Sequence, residues 1–279
     1  MPLIADITII RMTGLDAEKF AQSQFMGDIS ALSAGQWQWS GWLSAKGRVQ
    51  ALFALVRLAQ GELLLLLLDA PPLPFIAALQ RFVFRSKVSI KLDTSMAIAA
   101  DWTSFIATGV SRDSVLEGSN GAIGLDFGTD EAARRAWLVP AGESPSAEAT
   151  RRWREFDLRH GLPRWSAARE HSWTPHMLSL DRLRAFSVKK GCYPGQEIVA
   201  RTHFLGQTKR QAWWLEGESL RAGDAVLDAE GRGLGEVIES THDGHGALAV
   251  LAAHVGIEAQ VRGLKARVSV PTEGLARPN

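Results

Sequence analysis

The chain has 279 residues, with 31 Lys and Arg against 30 Asp and Glu (net charge +1), 46% hydrophobic and 22% charged residues, and one cysteine. That length exceeds one typical domain, and the balance is that of an ordinary globular protein, not a disordered or fibrous one. Near-neutrality excludes a global pull toward nucleic acid, and a lone cysteine excludes an internal disulfide framework or a two-cysteine metal or redox motif within one chain.

Met1 to Ile10 has no basic segment ahead of its apolar residues and no small-residue cleavage site, so it does not read as a secretory signal and the expected location is the cytoplasm. Ile4–Met12 reads as a strand, followed by a turn at Thr13-Gly14 and a helix opened by Asp16, with Glu18 in its first turn and Phe20 and Ala21 facing inward. Gln36–Leu43, Val49–Leu58 and Leu63–Leu68 read as a three-strand meander joined by the turns Ser44-Ala45-Lys46-Gly47 and Ala59-Gln60-Gly61. Trp37 and Trp39 share one strand face. The six leucines of Leu63–Leu68 are far too few to span a bilayer, which takes roughly 20 residues, so they read as a buried strand. Pro71, Pro72 and Pro74 start a helix through about Phe82, and Lys87–Leu92 forms a strand.

Five glycines between Leu116 and Pro145 mark a loop-rich stretch with one short strand near Ala136–Val139 and a possible internal boundary. Ser146–His160 is the clearest helix: Ala149, Trp153, Phe156 and His160 lie on one face, and Gly161 and Pro163 end it. Beyond Arg210 come short apolar runs, Ala212–Leu215, Ala225–Leu227, Gly235–Ile238, Ala247–Leu251 and Ala266–Val270, separated by glycine turns, the pattern of a small β-barrel. The expected architecture is α+β, with a body over 1–210 and a barrel over 211–279.

Chemistry concentrates at Lys189-Lys190-Gly191-Cys192-Tyr193-Pro194-Gly195-Gln196-Glu197, followed by Arg201. Gly191 and Gly195 permit a tight loop, and Pro194 suits the start of a helix through about His203, which puts Cys192 just ahead of a helix N-terminus. That end, with Lys189 and Lys190, would favour the thiolate, the reactive form. Gln196 and Glu197 could fold back onto loop N–H groups, and Arg201 could pair with Glu197 one turn away. Taken alone, a free cysteine reads as a small buried hydrophobe; two loop glycines and two cations beside it favour a functional thiol.

Between Arg182 and Arg210 seven basic residues, Arg182, Arg184, Lys189, Lys190, Arg201, Lys209 and Arg210, stand against Glu197 alone. They read as either a concave anion site or a solvated face. The seven histidines, among them the pairs His171/His176 and His242/His245, show no metal spacing, so no metal site is expected within the chain. Trp153, ahead of Gly161-Leu162-Pro163, offers a plane that could stack on a flat heterocycle, although core packing is the default for a helical tryptophan.

The segment Phe186 to Glu197 resembles the K-G-C-Y-x-G-Q-E signature of the YgfZ family, relatives of the glycine-cleavage T-protein. Thr13-Gly14 with Asp16 and Phe20, Lys46-Gly47-Arg48, Phe84 to Ile90, Gly161-Leu162-Pro163, Pro175, and Leu205-Gly206 to Arg210 extend the resemblance along nearly the whole chain. It implies a T-protein-like folate-binding α+β body with a C-terminal β-barrel, tetrahydrofolate as ligand, and a role in maintaining iron–sulfur proteins, including enzymes that modify tRNA. It further implies an essential Cys192, with Lys190, Gly191, Tyr193, Gly195, Gln196, Glu197 and Arg201 matching the motif. Of the two tryptophans that the family associates with folate, Trp153 matches the second, and Ile7 stands at the first.

An aminomethyltransferase of the T-protein type would need an acid on the strands after the early glycine turn, and Ile29–Gly61 contains no Asp or Glu. The leading expectation is therefore an accessory protein rather than that enzyme, with Cys192 contacting an iron–sulfur client or ligating its cluster in trans. Direct tRNA binding through the basic cluster is a third reading.

Overall fold

The computed structural model describes residues 1–68, 70–103, 111–118, 121–164, 173–206 and 208–277. In chain order the first part comprises β1 (Leu3–Ile4), β2 (Ile7–Thr13), α1 (Ala17–Gln24), β3 (Gln36–Leu43), β4 (Val49–Ala59), β5 (Glu62–Leu68), α2 (Pro72–Gln80) and β6 (Ser89–Leu92). Then follow β7 (Met96–Asp101), β8 (Leu116–Glu117), β9 (Ile123–Asp126), β10 (Arg135–Pro140), α3 (Ala147–Arg159) and α4 (Gln196–Leu205). The last part comprises β11 (Arg210–Glu216), β12 (Ala225–Leu227), β13 (Gly233–Ser240), β14 (Gly246–Ala252), β15 (Glu258–Val261) and β16 (Leu264–Ser269).

These strands make three antiparallel assemblies: a sheet ordered β3-β4-β5-β2-β6, a second ordered β1-β7-β10-β9-β8, and a closed six-stranded barrel, β11-β14-β13-β12-β15-β16. The α+β class and the C-terminal barrel stand as expected. The leucine run shows how the first sheet is built. β5 is its central strand, and side chains alternate between faces, so Leu64, Leu66 and Leu68 enter a core shared with the second sheet. Leu63, Leu65 and Leu67 enter another beneath α1 and α2. Both faces are covered, so apolar residues need not alternate with polar ones. Each buried leucine contributes about 1.5–3 kcal/mol of transfer free energy.

The single strand expected over Ile4–Met12 is two strands in two sheets. Asp6 takes the left-handed conformation (φ 66°), which breaks the run: Leu3 and Ile4 pair with β7, whereas Ile7–Thr13 pair with β5 and β6. Residues 116–145, read as a loop-rich stretch with a possible boundary, supply β8, β9 and β10 of the second sheet. Asp16 does precede α1, but its carboxylate accepts from the Lys87 amide N–H (2.6 Å) instead of capping the helix. On α3 the Ser146 hydroxyl accepts from the Ala149 amide N–H at 3.2 Å, an N-cap legible in the sequence.

Past the barrel the chain returns to the body. The Trp39 indole N–H donates to the Leu275 carbonyl (2.8 Å), and the Arg277 guanidinium lies 5.0 Å over the Trp37 ring. Arg277 also donates to the Gly128 carbonyl (3.0 Å), and burial pushes it down to about 10. No helix among the described residues is long and apolar enough to cross a membrane.

Candidate functional site

The conspicuous segment folds as a loop seated on the chain that leaves α1. Met26 there accepts from the Ser187 amide N–H at 2.8 Å and donates its own amide N–H to the Gly41 carbonyl at 3.0 Å, tying the loop to β3. Lys190 points inward, 7% exposed, and its ammonium donates to the Phe25 carbonyl (2.6 Å) and the Gly27 carbonyl (2.8 Å). It also stands 5.1 Å over the Tyr193 ring. Desolvation pushes the Lys190 amine down to about 8, against the attraction of Asp28.

Tyr193 is buried too; its hydroxyl donates to the Ser187 carbonyl (3.2 Å), and burial pushes the phenol up. The Gln196 side-chain amide donates to the Lys190 carbonyl at 3.0 Å and closes the loop. Gly195 begins α4 with φ 76°, and a Cβ there would lie 2.6 Å from the Ser44 carbonyl oxygen and 2.7 Å from Gly47 Cα. The turn between β3 and β4 thus packs directly on the loop, an approach only glycine permits. Lys190, Tyr193, Gly195 and Gln196 form an inward frame. Cys192 is exposed on its outer side, where a thiolate could act as nucleophile or as a ligand to soft metal.

Several expected contacts are absent. The Lys190 ammonium is committed to two backbone carbonyls and is not one of a pair of cations beside the thiol. Gln196 donates to a carbonyl rather than accepting from loop N–H groups. The helix starts at Gln196, after Pro194, and no ion pair joins Glu197 to Arg201 among the described residues. Lys189, Glu197 and Arg201 are exposed, and Gly191 has open space around it.

Three members of the basic cluster are engaged in the fold, and the other four, Arg184, Lys189, Arg201 and Lys209, are exposed. Arg182 pairs with Glu273 at 2.7 Å and donates to the Pro271 and Thr272 carbonyls, Lys190 is buried, and Arg210 opens the barrel. His171 lies outside the described residues; His176 is half-buried, 6.2 Å between ring centroids from His203. No group of three His, Cys, Asp or Glu side chains among the described residues is placed to hold a metal.

Trp153 belongs to the core, 1% exposed, with the Arg134 guanidinium 4.2 Å over its ring and Phe127 at 5.6 Å. It packs as a helical tryptophan does by default, with no ring face open to solvent. Arg134 in turn binds Asp157 (2.5 Å), whose second oxygen accepts from Arg164 (3.0 Å), all three with fully buried side chains. This triad was missed in the sequence, although Asp157, one turn from Trp153 on the apolar stripe of α3, was its signal. The Trp153 indole N–H and the Arg134 Nη2 are buried without an acceptor.

No protein-family model matches the chain. Among solved structures it is similar to aminomethyltransferase T of the glycine cleavage system from Bartonella henselae, with a TM-score of 0.71 and 16% identity over 97% of this chain and 84% of that one. The fold is thus T-protein-like. Among curated proteins it is similar to the tRNA-modifying protein YgfZ of Shigella boydii serotype 4 and of Escherichia coli O45:K1, each 27% identical over 242 residues, 81% of this chain and 74% of theirs. The YgfZ of Serratia proteamaculans is 27% identical over 247 residues. This chain is a homologue of the YgfZ proteins. The YgfZ signature read from the sequence is the framed loop described above, and Lys46-Gly47-Arg48, noted far from it in sequence, is the turn on which Gly195 packs. Ile7, where the resemblance leads one to expect a second tryptophan, is a core residue of the first sheet.

Proposed function

We propose that the chain is an accessory protein of the YgfZ type that supports iron–sulfur proteins, tRNA-modifying enzymes among them, through the thiol of Cys192. One observation carries this reading: the polar groups of the signature that point inward, on Lys190, Tyr193 and Gln196, are spent on holding the loop, and the cysteine is left exposed on its outer side. A thiolate so presented can reach a cluster held by another protein and supply a soft ligand.

Tetrahydrofolate is the proposed ligand of the body. Trp153 Nε1 and Arg134 Nη2 are buried donors without an acceptor, on side chains stacked at 4.2 Å, and such donors complement a heterocycle bearing acceptors. Trp153 and Arg134 would donate to that ring, with Asp157 holding the Arg134 guanidinium in place. When bound, the cofactor would supply a one-carbon carrier. The likeness to the aminomethyltransferase extends to the fold alone, and β3 and β4 carry no acid to assist such a transfer.

The test is replacement in cells lacking the gene, reading the product of an iron–sulfur tRNA-modifying enzyme by nucleoside mass spectrometry. Wild type restores the modification, and Cys192→Ser, with an unchanged melting temperature, does not. Full restoration by Cys192→Ser overturns the proposal.

A further inference from the structure

A second feature adjoins the cysteine loop. A groove of about 740 Å³ runs between α2 and the turn joining β3 to β4, lined by Trp42, Phe75, Arg81, Phe82 and, from the signature loop, Pro194. Phe75 and Phe82 meet the Trp42 ring edge-on at 5.8 and 6.1 Å. Trp42 is 7% exposed, and its indole N–H is buried without an acceptor. A donor buried without an acceptor is costly, about 1–3 kcal/mol, and a ligand acceptor would relieve it.

Beyond the groove the chain reads Arg81-Phe82-Val83-Phe84-Arg85-Ser86-Lys87, cations interleaved with aromatics. Phe82 is 50% and Phe84 75% exposed, and Arg81, Arg85 and Lys87 are exposed as well. The Arg85 guanidinium lies 5.1 Å over Phe84. This ridge is fixed: Asp16 donates its amide N–H to the Lys87 carbonyl (3.2 Å) and accepts from the Lys87 amide N–H (2.6 Å). Lys46, next to the groove residue Ala45, and Lys189 add exposed cations from the neighbouring loops. The acids of these segments are Asp16, already occupied by Lys87, and Glu197.

We propose that this face binds single-stranded RNA. Phe84 takes a base by stacking, the groove takes a second base whose acceptor meets the Trp42 N–H, and Arg81, Arg85 and Lys87 follow the phosphates. Cations of one sign interleaved with exposed rings are what an unpaired strand needs, because its bases offer flat faces and its backbone a regular negative charge. An acidic peptide would satisfy the cations and leave Phe84 without a flat partner. The inference stands on residues other than Cys192 and is independent of the thiol's role.

The probe is a fluorescein-labelled single-stranded RNA of about 12 nucleotides, followed by anisotropy on the full chain. Wild type binds, with affinity falling as salt rises from about 50 to 200 mM. Phe84→Ala, at an exposed position, loses about tenfold or more in affinity, one base stack. The double variant Arg81→Ala/Arg85→Ala flattens the logarithmic salt dependence by about 1.4, and Cys192→Ser binds as wild type does. Trp42→Phe, which keeps a ring but no N–H, weakens binding as well. Absence of salt-dependent binding, indifference to the ridge variants, loss confined to Lys209→Ala/Arg210→Ala, or equal competition by polyglutamate would each overturn the proposal.

Discussion

Replacing Lys190 by methionine probes the frame of the signature loop directly, because the ammonium sits in a protein pocket on two backbone carbonyls at 2.6 and 2.8 Å. Lys190→Met keeps the stem and leaves both carbonyls unpaired, a loss of about 1–3 kcal/mol at neutral pH. The pH dependence separates this lysine from an ordinary buried side chain. Its folded pKa is lowered from 10.5 to about 8, so above pH 8 the folded protein releases a proton that the unfolded chain keeps. The unfolded state then binds more protons, and stability rises with pH between the two values. That contribution is complete above 10.5 and is lost as pH falls through about 8. Methionine does not titrate, so the stability gap between wild type and variant widens by about 2 kcal/mol from about pH 7 to about pH 9.5. Urea unfolding at the two pH values measures it, and a gap that stays constant or narrows refutes the buried-lysine account.

Gly195→Ala forces a Cβ to within 2.6 Å of the Ser44 carbonyl oxygen at a left-handed residue, and the expected cost is about 2–4 kcal/mol by denaturant unfolding. An unchanged midpoint contradicts the close packing of the two turns. Asp157→Asn leaves two buried guanidinium groups facing a neutral amide and should cost about 3–5 kcal/mol, read as a lowered melting temperature. Trp153→Phe removes one donor while keeping a ring, so tetrahydrofolate affinity by titration calorimetry should fall by about 0.5–1.5 kcal/mol; equal affinity for both proteins removes Trp153 from the site.

The parts of the fold carried by local pattern were legible in the sequence. Helix α3 had its cap, stripe and glycine stop, and the meander of β3, β4 and β5 had its turns. Strand β7 was not legible, because it is held by partners at residues 3–4 and 135–140 that no local signal connects to it. Nor was the break at Asp6, since aspartate tolerates the left-handed conformation without advertising it. At the site, residue identity was legible and direction was not. Lys189 and Lys190 are adjacent, yet one is exposed and the other enters the protein, a choice made by the carbonyls of Phe25 and Gly27 more than 160 positions away. The Arg81–Lys87 ridge was written in the sequence as alternating cations and aromatics, and its meaning emerged only with the exposure of Phe82 and Phe84.

The claim that Cys192 meets the cluster of another protein is tested most directly by anaerobic mixing with a purified, cluster-bearing tRNA-modifying enzyme while following the sulfur-to-iron charge-transfer absorption. The account predicts a change in that band with wild type and none with Cys192→Ser. Identical traces from the two proteins would contradict it.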